Sequence, residues 1–158
     1  MDFFIRKASM NDYDRINELF WQSDQYHYEN EPYIYEKTTG GNRSKEYIET
    51  LLNGEENLFI VLEQEGEIIG FLYAYGETKG NLPIHKKRKF LVIDNIVIDE
   101  SHQRRGYGEK LLDYVIEFAK TRKYNDIVLN VFSFNEKAIK LYAKKEFKIL
   151  TQEMILRL

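Results

Sequence analysis

Apolar and polar positions along the chain follow two different periods, and these periods predict its secondary structure. Apolar and β-branched runs predict strands at 3–7, 58–64, 67–75, 90–98 and 127–132, with short closing strands at 147–150 and 154–156. Apolar residues at helical spacing predict helices at 9–20, 44–53, 108–123 and 135–145. Residues 22–43 carry no clear period, and 76–89 is typical of a loop.

The order of these elements predicts an α/β fold with a mixed sheet. The strand, helix and strand over 90–132 form one crossover unit, so these two strands should be parallel neighbours. The hairpin pattern on the N-terminal side requires antiparallel pairs. We therefore expect a twisted, mostly antiparallel sheet with one parallel βαβ pair, flanked by helices, rather than a doubly wound fold. At 158 residues, the whole of 1–158 is expected to be a single domain.

Composition and charge exclude several classes of protein. The chain is 43% hydrophobic and 31% charged, as in ordinary globular proteins. Its net charge of −3 disfavours general nucleic-acid binding, including through the basic run "HKKRK" at 85–89. With no cysteine, it has no disulfide, thiolate metal site or cysteine nucleophile. No signal peptide or membrane-spanning run is evident, so we expect a cytoplasmic protein without a membrane partner.

The stretch "HQRRGYGEKLL", residues 102–112, places two glycines at the start of a predicted helix. Unpaired N–H groups at a helix start attract anions, and the side chains of Gln103, Arg104 and Arg105 add donors. A phosphate-bearing ligand and a simple tight turn both fit these residues. Neither common nucleotide motif is complete, since Leu111 stands where G-x-G-x-x-G needs its third glycine.

Two blocks of sequence resemble the GNAT superfamily of N-acetyltransferases. The block "IDNIVIDESHQRRGYGEKLLDYVIEFAK" is similar to the family's acetyl-CoA-binding segment, with Gln103, Gly106 and Gly108 at its defining positions. The second block, "IVLNVFSFNEKAIKLYAKKEF", resembles the family's next strand and helix at four positions: Asn135, Ala138, Leu141 and Tyr142. The close resemblance covers about 90–150. It departs from the family at Glu146, where a glycine is usual.

The resemblance implies that acetyl-CoA is the cosubstrate and that no metal is needed. It places the pyrophosphate on the loop at 103–108 and the pantetheine arm along the strand that ends near residue 98. The implied cofactor-binding residues are Ile96, Ile98, Gln103, Arg104, Arg105, Gly106, Tyr107, Gly108 and Asn135. For Ile96 and Ile98, an ordinary place in the core fits the sequence equally well.

The resemblance implies one catalytic role, and the residues themselves suggest a second, at a strand position where the family often carries a Glu–Asp pair and this chain has Asp94 and Asn95. Tyr142 is the candidate general acid for the departing thiolate, although alone it would pass for a core tyrosine. Asp94 is the candidate base, because a carboxylate within an apolar strand is costly without a purpose or a partner. A neighbouring amide or arginine could equally be that partner. Three glutamates of the variable segment are weaker alternatives as the base: Glu29, Glu31 and Glu36.

The variable segment at about 20–55 is where the resemblance places the acceptor. Its aromatic residues and carboxylates would suit a cationic amine: Tyr26, His27, Tyr28, Tyr33 and Tyr35. The sequence therefore predicts an acetyl-CoA-dependent N-acetyltransferase acting on a small-molecule or peptide amine. A non-catalytic acyl-CoA-binding or regulatory domain on the same fold is the alternative. A homodimer is compatible with either function.

Overall fold

The computed structural model describes residues 3–158, and five strands and four helices make up its regular structure. Short 3-10 turns precede α1 and follow β4. In chain order the elements are β1 (Phe3–Lys7), α1 (Tyr13–Asn30), α2 (Lys45–Asn53), β2 (Asn57–Gln64), β3 (Glu67–Lys79), β4 (Arg88–Ile98), α3 (Tyr107–Thr121), β5 (Asp126–Leu129) and α4 (Glu136–Lys144).

The five strands form one sheet in the order β1-β2-β3-β4-β5. The first three pairs are antiparallel, and β4 with β5 is parallel, running from Phe90 beside Asp126 to Ile93 beside Leu129. Helix α3 provides the crossover between the two parallel strands. The predicted mixed α/β fold with one parallel βαβ pair is thus confirmed.

Helices cover both faces of the sheet and create two apolar layers. On one face, α1 and α2 pack on the sheet through side chains that include Ile16, Phe20 and Ile48. On the other face, α3 and α4 pack through side chains that include Leu111 and Tyr142. Each layer encloses fully buried residues, so the sheet is held rigidly between them.

Three elements extend beyond their predicted ends: α1, β3 and β4. Helix α1 continues to Asn30 instead of ending near residue 20, with residues 21–28 half-buried along it. Strand β3 runs to Lys79 and β4 starts at Arg88, so six of the fourteen residues in the predicted 76–89 loop belong to the paired strands of a hairpin. Backbone pairing extends this hairpin over polar residues that carry little strand pattern of their own.

The C-terminal predictions are wrong. Strand β5 ends at Leu129 rather than at 132, and within the described residues no strand follows it. The expected closing strands at 147–150 and 154–156 are absent because no neighbouring backbone pairs with that segment. A strand pattern produces a strand only where a partner edge is available.

Candidate functional site

Strands β4 and β5 separate halfway along β4. Their parallel pairing covers only four positions and stops at Ile93 and Leu129, while β4 continues to Ile98. On the β5 side, the main chain of residues 95–98 therefore faces a gap. Ile96 and Ile98 are partly buried and pack against the layer below α3 and α4. An extended ligand could pair with this free main chain as an added strand would.

Asp94 lies at a β-bulge at the start of this gap. The pairing with β3 passes from Ile93 beside Ala74 directly to Asn95 beside Tyr73, which leaves Asp94 as the extra residue. Its side chain is exposed and, among residues 3–158, has no hydrogen-bond or ion-pair partner. Nearby protein nevertheless desolvates the carboxyl in part and raises its pKa above the ordinary 3.8.

Two tyrosines of β3 lie close enough to Asp94 for its charge to raise their pKa. Burial, followed by the Asp94 carboxylate, raises the pKa of Tyr73 to about 12. The same two causes raise the pKa of Tyr75. Asp94 is therefore an unpaired carboxylate beside phenols, at an irregular point of the sheet, rather than a carboxylate neutralised by an arginine or an amide.

The start of α3 presents unpaired backbone donors next to the gap. Gly106 has a φ of 83°, in the left-handed region, and Tyr107 begins the helix. The Lys110 N–H makes the first helical hydrogen bond, to the Gly106 carbonyl at 3.2 Å, so the N–H groups just before it have no helical acceptor. Such a helix start attracts anions.

The two glycines serve different purposes. A Cβ on Gly106 would meet no atom within 4 Å, so its backbone conformation, not crowding, requires glycine there. A Cβ on Gly108 would lie 3.2 Å from the Leu141 side chain and 4.0 Å from that of Ile98. Gly108 thus allows α3, α4 and the end of β4 to meet closely.

The side chains of the 103–107 loop divide into bound and free groups. Gln103 Nε2 donates to the Ile98 carbonyl at 3.2 Å, and Arg105 Nη2 donates to the Ser101 carbonyl at 3.1 Å. The Tyr107 hydroxyl donates to Gln64 Oε1 at 2.7 Å, whereas its backbone N–H has no acceptor among the described residues. Arg104 is exposed and lacks a partner among the described residues, so its guanidinium is free for an anion.

Asp99, which the sequence analysis did not identify, fixes the loop to α1. Its Oδ2 accepts hydrogen bonds from Arg15 Nη2 at 2.8 Å and Gln22 Nε2 at 3.0 Å. Its Oδ1 accepts from the Ser101 N–H at 2.9 Å and lies 3.2 Å from His102 Nδ1. Burial alone would raise the pKa of this carboxyl, but these hydrogen bonds outweigh it and hold the pKa well below its ordinary value. An Asp two residues before a Ser was the only local signal.

Tyr142 lies in the apolar layer between α4 and the sheet. It is 8% exposed, and burial raises its pKa to about 12. Among residues 3–158 its hydroxyl makes no hydrogen bond. No side-chain polar atom among the described residues is both fully buried and unpaired, so this hydroxyl keeps some contact with solvent and is open to a ligand.

The end of α4 holds the Tyr142 ring in place. The Phe147 N–H donates to the Tyr142 carbonyl and the Glu146 N–H to the Ala143 carbonyl, both at 3.0 Å. The rings of Tyr142 and Phe147 are 5.8 Å apart. These are the bonds and the apolar contact of a Schellman motif, and Glu146 takes its left-handed position with a φ of 64° where glycine is usual.

Asn135 begins α4 at the far side of the gap. Its Oδ1 accepts a hydrogen bond from the Ala138 N–H at 3.2 Å and so caps the helix. The Nδ2 group has no partner in the described residues. Asn135 can therefore cap the helix and still donate to a ligand.

Five aromatic rings form a cluster beyond the end of β5, and we call it the aromatic cluster: Tyr26, His27, Tyr35, Phe132 and Phe134. The rings of Phe132 and Phe134 stack at 5.1 Å, and His27 lies 5.1 Å from Tyr35. His27 Nδ1 donates to the Ser23 carbonyl at 2.7 Å. The sequence did not predict the part played by the two phenylalanines.

Other predicted acceptor-side residues lie outside this cluster. The Tyr33 ring is 64% exposed and lies under the Arg157 guanidinium, 4.3 Å from it. Glu31 forms an ion pair with Arg157, whereas Glu29 and Glu36 are exposed. Tyr28 is half-buried without a ring contact to the cluster.

Three further features concern alternative functions. In the basic run, Arg88 pairs with Asp126 and Lys89 with Glu56, so two of its charges are already compensated. Within residues 3–158, no helix has the length and apolar character needed to cross a bilayer. Nor does that part of the chain bring three His, Asp or Glu side chains together as metal ligands would require.

Comparison with known proteins identifies relatives of this sequence. The model of the acetyltransferase (GNAT) family matches residues 13–147. An uncharacterized N-acetyltransferase of Methanocaldococcus jannaschii is 27% identical over 150 residues, which is 92% of this chain and 61% of that protein. The chain therefore spans less than two thirds of this relative. Streptothricin acetyltransferase A of Bacillus subtilis is 26% identical over 144 residues, covering 89% of this chain and 81% of its own.

Solved structures share the fold. A mutant of a Bacillus halodurans protein has a TM-score of 0.94 at 23% identity, covering 98% of this chain and 99% of its own. An aminoglycoside acetyltransferase from an uncultured soil metagenomic sample has a TM-score of 0.74 at 22% identity, covering 100% and 99%. At these identities the likeness concerns the fold alone.

Proposed function

Since the chain belongs to the GNAT family of acetyltransferases, we propose that it transfers an acetyl group from acetyl-CoA to a primary amine. One observation carries the proposal: the free main chain at the end of β4 lies next to the unpaired N–H groups that begin α3, since a Cβ on Gly108 would lie 4.0 Å from the Ile98 side chain. Tyr142, whose hydroxyl has no hydrogen-bond partner among the described residues, belongs to the same apolar layer as Ile96 and Ile98. Each of these polar groups matches a different part of an acyl-CoA.

The unpaired groups define where acetyl-CoA would lie. Residues 95–98, including Ile96 and Ile98, would pair through their main chain with the amides of the pantetheine arm. The start of α3 would bind the pyrophosphate through backbone N–H groups, with Arg104 adding a charge-assisted hydrogen bond. Gln103, Arg105 and Tyr107 already bind protein groups, so their side chains shape the loop.

The transfer needs a proton acceptor on the amine side, because a protonated amine cannot attack. The amine nitrogen forms a bond to the thioester carbonyl carbon, the carbon–sulfur bond breaks, and one amine proton must leave. Asp94 suits this role since it is unpaired, open to water and raised in pKa. It can accept the proton directly or through water.

Tyr142 would stabilise the departing sulfur. A phenol with a pKa of about 12 is protonated at neutral pH, so it can donate a hydrogen bond to the thiolate. Complete proton transfer from such a phenol to the thiolate is uphill, because the thiol that would form has a pKa of only about 8–9. Hydrogen bonding is therefore the larger part of its contribution.

The acceptor would enter beside the aromatic cluster. The half-buried rings favour an amine that carries both apolar and cationic parts. The Asp24 carboxylate, which is ion-paired with Arg43, lies near them, since burial and then this carboxylate raise the pKa of Tyr35. Streptothricin and aminoglycosides, named for two of the similar acetyltransferases, belong with other small amines and peptide N-termini in a first panel of acceptors.

The test compares Tyr142→Phe with Tyr124→Phe in single-turnover acetyl transfer. Tyr124 is a matched control, because its pKa is also raised to about 12 but its hydroxyl binds Glu56 on the surface. We expect Tyr142→Phe to lower the rate by roughly 10²-fold, with acetyl-CoA affinity nearly unchanged. Tyr124→Phe should keep the wild-type rate.

Two results would contradict the proposal. If millimolar acetyl-CoA fails to raise the melting temperature of the folded wild type, the cosubstrate is wrong, since a ligand bound only to the native state must stabilise it. If acetyl-CoA binds but no acceptor yields product in a single turnover, the non-catalytic acyl-CoA-binding domain replaces the enzyme.

A further inference from the structure

Polar side chains without partners gather around Asp94 on the face of the sheet that α1 and α2 cover. Ile93 belongs to the opposite layer, so the next residue, Asp94, points to the α1 and α2 side. Tyr73 and Tyr75 of β3 belong to the layer on that side, and their ring centroids are 6.1 Å apart. The register sets them beside the bulge, with Tyr73 opposite Asn95. One carboxylate and two phenols thus share this part of the sheet.

Tyr47 of α2 adds a third phenol to the group, which we call the phenol site: Tyr47, Tyr73, Tyr75 and Asp94. The pKa of Tyr73 is raised by burial, then by Asp94, and then by Tyr47 and Tyr75, so the four side chains are close together. Tyr47 is 42% exposed, whereas Tyr73 is 6% exposed. The phenol site is therefore open to solvent at Tyr47 and closed by the sheet at Tyr73.

The polar atoms of the phenol site are free to bind a ligand. None of the four side chains has a hydrogen-bond partner in the part of the chain that the structure describes. For Tyr73 this is unusual, since a buried tyrosine hydroxyl normally binds another group. Its hydroxyl still reaches solvent, because no fully buried side-chain oxygen or nitrogen among residues 3–158 lacks a partner. A ligand can therefore meet three phenol oxygens and one carboxylate together.

The phenol site carries a negative charge that no cation compensates. Burial is the only cause that shifts the pKa of Asp94, so no lysine or arginine is near enough to lower it. Arg43, on the loop before α2, binds Asp24 instead. Rings, phenol oxygens and one free carboxylate are groups that bind an ammonium ion. A ligand carboxylate, in contrast, would meet Asp94 with no cation to bind.

We propose that the phenol site binds the ammonium group of the acetyl acceptor and selects a primary amine with an uncharged body over an amino acid. This inference rests on the proposed acetyl transfer and names the class of its acceptor. Tyr73 and Tyr75 would accept hydrogen bonds from two N–H groups of the ammonium. The third proton would pass to the Asp94 carboxylate and leave the neutral amine that attacks. The carboxylate of an amino acid would lie beside Asp94, and such a like-charge contact strongly disfavours binding.

The first experiment compares three acceptors that share one skeleton: 2-phenylethylamine, phenylalaninamide and phenylalanine. The last two carry an amide or a carboxylate on the same carbon, so they differ in charge but hardly in size. We expect kcat/KM to be at least about 10²-fold lower for phenylalanine than for either uncharged-body amine. Equal use of all three would overturn the inference. Equal rejection of the amide and the acid would also overturn it, because size rather than charge would then select the acceptor.

The second experiment measures binding without turnover, by isothermal titration of 2-phenylethylamine into the CoA-saturated protein. Tyr73→Phe and Tyr75→Phe each remove one unpaired hydroxyl and should raise the Kd about tenfold, as the loss of a hydrogen bond to a charged group does. Tyr114→Phe is the matched control. Tyr114 is also partly exposed and unpaired, but it lies on α3 in a groove beside Phe3 of β1. The control should keep the wild-type Kd, and an unchanged Kd in both β3 variants would overturn the inference.

A change of charge at the open side of the phenol site completes the test. Tyr47→Lys supplies a cation there and should reduce the preference for phenylalaninamide over phenylalanine at least about fivefold, whereas Tyr114→Lys should not. If phenylalanine binds and reacts as well as the amide, the phenol site is wrong but acetyl transfer stands. If 2-phenylethylamine binds with the expected dependence on Tyr73 and Tyr75 but yields no product, acetyl transfer is wrong and the ammonium site stands. Binding of none of the three amines overturns the site.

Discussion

Replacing Asp99 by asparagine tests whether one buried carboxylate connects α1 to the proposed pyrophosphate loop. The side chain is 9% exposed and accepts hydrogen bonds from four donors: Arg15 Nη2, Gln22 Nε2, and the Ser101 N–H and hydroxyl. An asparagine of the same shape keeps one acceptor oxygen but turns its NH₂ group towards donors. It also leaves Arg15 without its most buried counter-charge.

The magnitude follows from these contacts. Breaking a buried ion pair costs about 3–5 kcal/mol, but Arg15 also pairs with Glu18 and Glu67, so we expect a loss of about 3 kcal/mol. For a chain of this size, that lowers the melting temperature by roughly 6–12 °C. Because the loop is then less often in its binding conformation, the Kd for acetyl-CoA should rise at least about tenfold.

Asp12→Asn provides the matched control. Asp12 is likewise buried and bound, to Arg6 at 2.8 and 2.9 Å and to the Ser9 N–H at 2.8 Å, but it lies before the first turn of α1 and away from the loop. Thermal unfolding should show a loss of stability in both variants. Isothermal titration should show weaker acetyl-CoA binding only in Asp99→Asn. Equal affinity in the two variants would limit Asp99 to a structural role.

The pH dependence of stability, compared between wild type and Asp99→Asn, tests the role of the charge. The pKa of Asp99 is lower in the folded protein than the ordinary 3.8, so its stabilisation is present above that value and is lost as pH falls through the folded pKa. The difference in melting temperature between wild type and Asp99→Asn should therefore narrow below about pH 4. A difference that stays constant down to acid pH would refute the role of the charge.

Three more predictions follow from single positions. Glu146→Gly should raise the free energy of unfolding by about 1 kcal/mol, because glycine adopts the left-handed backbone conformation of this position without strain. Lys140→Gly, within α4, should lower the free energy of unfolding by a similar amount, and thermal unfolding measures both. Gly106→Val and Gly66→Val, both at a φ of 83° in open space, should lose similar stability, but only the first should lose the thermal shift caused by acetyl-CoA. If Gly106→Val retained the thermal shift, the loop at Gly106 would be a turn without a role in acetyl-CoA binding. Asp94→Asn should slow acetyl transfer at least about tenfold and should flatten the decrease of the rate at acid pH. Its melting temperature at neutral pH should stay equal or rise, because the raised pKa of the Asp94 carboxyl means that the ionised form is unfavourable in the folded protein. An unchanged pH profile would exclude Asp94 as the base.

The sequence by itself determined the features that depend on neighbouring residues. Ser44, at the start of the predicted 44–53 helix, caps α2 by accepting a hydrogen bond from the Tyr47 N–H, as a serine at a helix start does. The order of elements over 90–132 also predicted the parallel pair of β4 and β5, because a crossover helix between neighbouring strands returns the chain to the end of the sheet where the first strand began. The glycine at 106 marked the start of α3 for the same local reason, since few other residues adopt its backbone conformation.

Only the tertiary structure decided which distant residues meet. Asp99 binds Arg15 and Gln22, which are 84 and 77 positions away, and no periodicity relates them. The same holds for Phe132 and Phe134 joining His27 in one cluster. Long-range contacts depend on how the layers pack as a whole, and that packing is not encoded in any short window of residues.

Residues 148–158 show most directly that a sequence pattern alone does not specify a strand. Their apolar residues predict strands, yet their backbone pairs with no other segment in the described structure. The bulge at Asp94 is a second case, because its place is set by the register between β3 and β4 rather than by its neighbours in sequence. A helix satisfies its hydrogen bonds within its own residues, so a local pattern can specify it. A strand makes its hydrogen bonds to another segment of chain. Whether it forms therefore depends on whether that segment lies beside it in the folded protein.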